Sequence, residues 1–256
     1  MTKIFDIFKK RDDTPPELWG EIEPLVEPYK KQAWVPSVSK GSTSFLASKF
    51  AGIPALLKDE AWPCCGSCQK PMQLFVQLNS NDIPEAAKGA FGDGILQAFY
   101  CTNSEDDCED VCESYFPFSK ATSVRLITAD ESQLVEHTEN LVEEAFPEKQ
   151  ITGWETQDDY PHWEELEDFG VKLTEEQVET MYEMGFPRAK DKLLGWPHWI
   201  QGVEYPSCPE CNKRMQLIFQ IDSENNVPYM FGDVGCAHVT QCEEHKEQLA
   251  IAWACG

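Results

Sequence analysis

The clearest periodicity in the chain is a two-residue alternation at Met72-Gln73-Leu74-Phe75-Val76-Gln77-Leu78, with Met72, Leu74, Val76 and Leu78 on one side. Such alternation predicts a half-buried strand. Met215, Leu217, Phe219 and Ile221 repeat it, and 95–100 and 123–128 read as further strands. Helical spacing is rarer. After Thr14-Pro15-Pro16, residues Leu18, Trp19, Ile22, Leu25 and Val26 fall on one face until about Lys31, and proline in a first turn sacrifices no hydrogen bond. A second helix is predicted over 131–144. A third follows Thr174, which with Gln177 forms a capping-box pattern ahead of 175–184. Strands outnumber helices, so the reading is a β-rich α+β fold.

The alternating strands belong to a longer correspondence. Residues 52–77 set on 195–220 without a gap share 10 of 26 identities, from Gly52/Gly195 through Cys65/Cys208 and Cys68/Cys211 to Gln77/Gln220. Phe91-Gly92-Asp93-Gly94 answers Phe231-Gly232-Asp233-Val234-Gly235. The expectation is an internal duplication, two pseudo-symmetric halves that share a core. It divides the chain into an N-terminal tail and helix (1–43, charged and frayed over 1–13), a first repeat (44–128), an acidic and helical connecting region (129–192) and a second repeat (193–256).

Charge narrows the class of partner. The 256 residues carry 45 Asp and Glu against 21 Lys and Arg, a formal net charge of −24. That field repels phosphates and anionic membranes and attracts basic surfaces. No segment has the length and apolarity of a membrane span, and the first ten residues do not read as a signal peptide. Eleven cysteines in a long chain with CxxC pairs point to thiolate–metal chemistry in a reducing compartment, hence a cytoplasmic or nuclear protein.

A CxxC turn presents two thiolates to one metal ion and needs two more donors. In the second repeat Cys242-Glu243-Glu244-His245 supplies them, for a set of Cys208, Cys211, Cys242 and His245. In the first, Cys65 and Cys68 join Cys101, which aligns with Cys242, and Cys108, with Cys112 as the alternative fourth donor. Each half thus has a zinc-ribbon-like knuckle. Four protein donors leave no position for a reacting water, so the expectation is two structural zinc ions. A redox dithiol is the competing reading, but such motifs sit at helix starts, whereas each knuckle here precedes a strand. Cys64, Cys112, Cys236 and Cys255 are left to packing.

Nothing points to catalysis. The five histidines occur in no nucleophile-elbow, zinc-protease or phosphate-loop pattern. Asp158-Asp159-Tyr160-Pro161-His162 reads as a solvated acidic loop rather than a base with its orienter. Asp93 and Asp233 read as turn residues. Gln73 with Gln77, and Gln216 with Gln220, would either line a peptide groove or satisfy neighbouring backbone. Trp62, Trp196 and Trp199 read as packing aromatics, with ligand contact as the sharper alternative.

The ordered motifs Phe50-Ala51-Gly52-Ile53-Pro54, Trp62-Pro63, Cys65-Gly66-Ser67-Cys68, 71–79, 94–101, 194–201 and Met230-Phe231-Gly232-Asp233 resemble the YwqG-like family of unknown function, as a zinc-bearing branch. The duplicated CxxC and Met-Gln units also resemble the programmed-cell-death-protein-two family. That second likeness implies a dedicated chaperone holding a basic ribosomal protein. The functional expectation is a zinc-stabilised binding or chaperone-like scaffold for a basic protein segment, attracted by the acidic stretches 105–113 and 155–168. The alternatives are an inhibitor or immunity-type protein that masks an enzyme, or an enzyme using Asp93, Asp233 or His238. Oligomeric state is not predicted.

Overall fold

A computed structural model describes residues 17–137 and 139–256. The charged tail and the Thr14-Pro15-Pro16 helix start lie outside them. The elements are α1 (Trp19–Val26), β1 (Lys31–Lys40), β2 (Lys49–Phe50), β3 (Ala55–Leu57), β4 (Gln73–Asn79), β5 (Ile95–Tyr100), α2 (Cys108–Val111), β6 (Thr122–Ile127), β7 (Leu134–Glu136), β8 (Lys149–Asp159), α3 (Trp163–Asp168), α4 (Glu175–Glu183), β9 (Lys192–Leu194), β10 (Gln216–Asp222), β11 (Cys236–Gln241) and β12 (Leu249–Ala254).

Ten strands form one antiparallel sheet in the order β12-β11-β10-β9-β1-β8-β2-β4-β5-β6. It curls until the edge strands β6 and β12 approach each other, giving a nearly closed barrel. At the seam the Trp253 N–H donates to the Tyr115 carbonyl at 3.1 Å. Phe50, Phe75, Tyr100, Phe219, Ile221 and Phe231 meet in the interior, so strands from both halves enclose one core. Strands β3 and β7 pair separately. Outside, α1, α3 and α4 pack around Trp19, Ile22, Leu166, Met181 and Phe186, with the rings of Trp19 and Phe186 stacked at 5.4 Å.

The two longest strands come from segments that hydrophobic alternation did not mark. β1 and β8 pair from Lys31↔Asp159 to Lys40↔Lys149 and occupy the middle of the sheet. Both carry many exposed polar residues, and hydrogen bonding to each other and to β9 and β2 makes them strands. The helix expected over 131–144 is absent. A single 3-10 turn at Glu131–Gln133, capped by Asp130, leads into β7, because Leu134 fills a satellite core with Ala55, Ile95 and Ile127. The helix expected over 175–184 is α4, with the Thr174/Gln177 capping box formed.

β4 and β10 are strands, but each carries a bulge, between Leu74 and Val76 and between Leu217 and Phe219. One extra residue exchanges the faces beyond it. Met72 and Leu74 therefore pack against Cys65 and Cys101, while Phe75, Val76 and Leu78 enter the barrel. Likewise Met215 packs with Cys208 and Cys242, and Ile218, Phe219 and Ile221 point inward. The single apolar face expected from strict alternation is thus divided between two cores.

Candidate metal centres

Each CxxC pair sits in a tight turn whose backbone closes on itself. In the first, Cys65 N–H donates to the Lys70 carbonyl at 2.9 Å and Gln69 N–H to the Cys65 carbonyl at 3.0 Å; in the second, Cys208 N–H meets the Lys213 carbonyl and Asn212 N–H the Cys208 carbonyl, both at 2.8 Å. Gln69 and Asn212 both adopt the left-handed conformation, with φ of 62° and 58°. The remaining donors come from across the sheet. Cys101 and Cys242 each follow the last residue of a strand, β5 and β11, Cys108 opens α2, and His245 lies one turn beyond Cys242.

The structure brings together Cys65, Cys68, Cys101 and Cys108 in one cluster and Cys208, Cys211, Cys242 and His245 in the other, ligand atoms all within 4.8 Å of one another. Cys112 is not in the first cluster. Sulfurs 3.8 Å apart in Cys68/Cys101 and 3.7 Å in Cys211/Cys242 match the edge of a tetrahedron with metal–sulfur bonds of about 2.3 Å, roughly 3.8 Å. All eleven cysteines are free thiols. His245 Nδ1 lies 3.7 Å from both Cys208 and Cys242 sulfurs, while Nε2 faces Glu210 at 3.5 Å. A carboxylate behind a ligating imidazole fixes its orientation. Burial pushes the Cys242 thiol up, but backbone and side-chain hydrogen bonds from His245 bring it down to about 6, whereas burial holds Cys101 and Cys108 up, so that their ionisation would depend on a bound cation. Lys70 reaches Asn103 and Glu105 at 3.1 and 2.7 Å, and Lys213 pairs with Glu244. Each knuckle is thereby braced against the loop that carries its other donors.

The donor sets fit a closed, four-coordinate ion. Its chemistry would be structural: it ties each knuckle to the strand end beyond it and offers no site for a reacting water.

Other singled-out residues fall outside these centres. Gln73 and Gln77 do not share a groove. Gln77 donates to the Phe45 and Ala47 carbonyls and accepts from Ala55 N–H, whereas Gln73 binds the 144–146 backbone. Gln220 similarly satisfies Arg188, Lys190 and His198 backbone, and Gln216 is exposed against Glu243. Trp62 and Trp196 are buried, their indole N–H groups donating to the Met72 and Tyr29 carbonyls. Asp93 and Asp233 are exposed in bends and turns. Asp158 and Asp159 end β8 rather than forming a loop, and Asp159 is fully buried. Its carboxylate accepts from Lys192 Nζ at 2.7 Å, Arg188 N–H at 2.8 Å and Trp196 N–H at 2.9 Å. His162 instead contacts Tyr182 and the start of α3, so the alternative of a base with its orienter is not assembled either.

Two buried lysines, Lys192 and Lys49, belong to no pattern of alternation or donor spacing. Lys49 is as deeply buried, pairing with Glu148 at 2.8 Å and with the Ile53 carbonyl at 2.6 Å. Extending the ungapped correspondence three residues upstream of Gly52 and Gly195 sets one lysine on the other.

The sequence matches a family of domains of unknown function, DUF1963, over residues 48–248. The chain belongs to the DUF1963 family. Comparison with curated proteins finds no match. The family segment begins beside β2 and ends before β12, so it includes both four-donor clusters and excludes α1 and β1.

Proposed function

We propose that this DUF1963 protein is a zinc-stabilised, internally duplicated scaffold, YwqG-like in kind, that captures a basic protein segment in the cytoplasm. Tetrahedral spacing and the thiolate-rich donor sets support zinc as the ion. The duplication draws support from paired details: the bulges, the buried Lys49 and Lys192, and the left-handed Ala51-Gly52 and Leu194-Gly195 steps.

The observation that carries the binding reading is the charge on the helical layer. Glu21 and Glu23 in α1, Glu167 and Asp168 in α3, and Glu175, Glu176, Glu179 and Glu183 in α4 are all exposed, outnumbering the exposed cations around them, among which are Lys30, Lys31, Lys172 and Arg214. The stretch 155–168 contributes less than its composition suggests, because Asp159 and Glu165 are buried and paired. The likeness to the programmed-cell-death-protein-two family, whose members hold a basic ribosomal protein, supports the same kind of client.

The test uses a fluorescent oligolysine peptide and the intact metal-loaded protein. Anisotropy should show binding that weakens by about tenfold or more from low to physiological salt. Replacing Glu175, Glu176, Glu179 and Glu183 with glutamine should weaken it further. Absence of binding at low salt, or indifference to both changes, would sink the proposal.

A further inference from the structure

Beyond the metal clusters, one cavity has an unusual composition. It holds about 270 Å³ above the outer face of β11 and β12, under the 115–117 and 199–206 segments. The strand register explains the space. His238 pairs with Ala252 and Cys236 with Ala254, so methyl groups alone rise from β12 there. Large rings form the walls. Trp199 and Tyr205 lie 4.8 Å apart at 72°, and Tyr115 meets Trp253 at 5.9 Å and 82°. Phe116 stands beside Tyr115 at 4.9 Å and is 47% exposed, placing an aromatic ring at the mouth.

The polar groups are mixed: the buried Trp199 indole N–H has no acceptor, and Arg214 and Lys192 stand nearby, while three acceptors (Glu204, His238 and Glu165) favour a cation. No lysine or arginine lines the cavity, and exposed Glu204 does. His238 is buried and its Nε2 has no hydrogen-bond partner. Burial, with the nearby Lys192 charge, pushes the imidazole down to about 3. Its bond to the His198 backbone favours the protonated ring, so Nδ1 donates to the carbonyl and Nε2 is left as an acceptor. Glu165 lies behind the wall, bound to Tyr205 and Arg214 through one oxygen, and its other oxygen closes no hydrogen bond. The Arg214 guanidinium covers Tyr205 at 3.4 Å and offsets part of the Glu165 charge. That leaves Trp199, Tyr115 and Phe116 as the principal faces, with Trp253 lining the cavity from the other side of β12, its indole N–H held by the Tyr100 hydroxyl.

We propose that this cavity is an aromatic cage for an alkylammonium group, with the rings facing the cation, Glu204 at the rim and His238 Nε2 accepting one N–H. Perpendicular aromatic faces attract cations by their quadrupoles, most strongly where water is excluded. The acceptor adds selectivity: an ammonium that keeps an N–H satisfies His238, whereas a quaternary one leaves it unpaired at a cost. The ammonium can come from a free amine or from a lysine side chain. The cage is independent of the helical acidic layer, and its binding would survive loss of the salt-dependent attraction proposed above.

The experiment is a titration of the intact metal-loaded protein, followed through the indole N–H resonances of Trp199 and Trp253. The probes are short peptides carrying lysine, dimethyl-lysine, trimethyl-lysine or acetyl-lysine, and free N,N-dimethylbutylamine. Dimethyl-lysine should move both resonances and bind at least about tenfold more tightly than neutral acetyl-lysine. Trimethyl-lysine should fall between them, and His238→Leu should erase its difference from dimethyl-lysine. Trp253→Leu should weaken every cation. Peptide affinity well above that of the free amine assigns the site to a protein side chain; equal affinity assigns it to small amines. Equal binding of acetyl-lysine and the cations, or cations that leave both resonances unmoved, would overturn the proposal even if oligolysine still binds elsewhere.

Discussion

Lys192 and Asp159 meet at 2.7 Å with both side chains fully shielded from water. Burial lowers the ammonium's affinity for its proton, and the adjacent carboxylate opposes that shift. Such a pair adds little against an apolar replacement of both partners, but removal of one leaves the other stranded. Lys192→Met should therefore cost about 3–5 kcal/mol, whereas the exposed Lys213→Met should cost under about 1 kcal/mol, both read from denaturant midpoints. His238 gives a pH prediction. Its folded pKa of about 3 lies below the value of about 6.5 expected when unfolded. Above pH 6.5 neither state is protonated. As pH falls below 6.5 the unfolded chain takes up the proton first, so this group withdraws up to about 1.4 kcal/mol of stability per pH unit until about pH 3. His162 and His198 are lowered too, chiefly by burial, and act in the same direction. His238→Leu should flatten the stability–pH curve between pH 6.5 and 4.5 by about one proton; an unchanged slope would show that the ring is not held neutral. The buried lysines had only one sequence signal, their alignment with each other three residues before Gly52 and Gly195, because a lysine on a strand of two or three residues otherwise resembles a surface residue.

At the scale of elements, the short helix α2 joins a knuckle to the barrel seam. Cys108 points into the first cluster, and the next residue, Glu109, accepts from the Tyr100 hydroxyl at 2.9 Å and from Tyr229. Tyr100 also accepts from the Trp253 indole at 2.8 Å. Ligand and seam contacts thus lie on neighbouring residues from which both halves are held. Cys108→Ser should remove about one ion per chain, measured by native mass, and Cys112→Ser should leave the metal content intact. If Cys112→Ser removes the ion and Cys108→Ser does not, the assignment of the fourth donor fails. The donor clusters were legible, up to the choice between Cys108 and Cys112, because paired donors follow local spacing. The bulges in β4 and β10 were not, since an extra residue opposite a partner strand is defined only by that partner. The expected 131–144 helix failed for a related reason. The packing of Leu134 against Ala55 and Ile95 draws the segment into β7, and tertiary contact outweighs a weak helical preference.

Across the molecule, both clusters close connections between segments far apart in sequence, from Cys65 to Cys108 and from Cys208 to His245. Constraining such loops and filling the sites only in the folded state should add directly to stability. Chelation under reducing conditions should lower the unfolding midpoint and broaden the transition, and restoring zinc should reverse both. A chelator-treated chain that unfolds at the same midpoint would contradict structural zinc. The sheet also predicts how damage spreads: its edges β6 and β12 meet near Tyr115 and Trp253. Loss of the first ion should therefore increase hydrogen exchange at β12, in the other half of the chain.

Local pattern was enough for the β-rich character, seven of the eight donors, the strands of 73–79 and 216–222 and the capped helix α4. Each depends on residue type and near-neighbour spacing. Folding of the whole chain was needed to put β1 and β8 in the middle of one sheet, to choose Cys108 over Cys112, to bury Lys49 and Lys192, and to enclose a cavity beside His238 with five aromatic residues. Those features arise where residues remote in the chain share hydrogen bonds, exclude water or leave space. Their energies belong to the pairing, and no single stretch of sequence contains it.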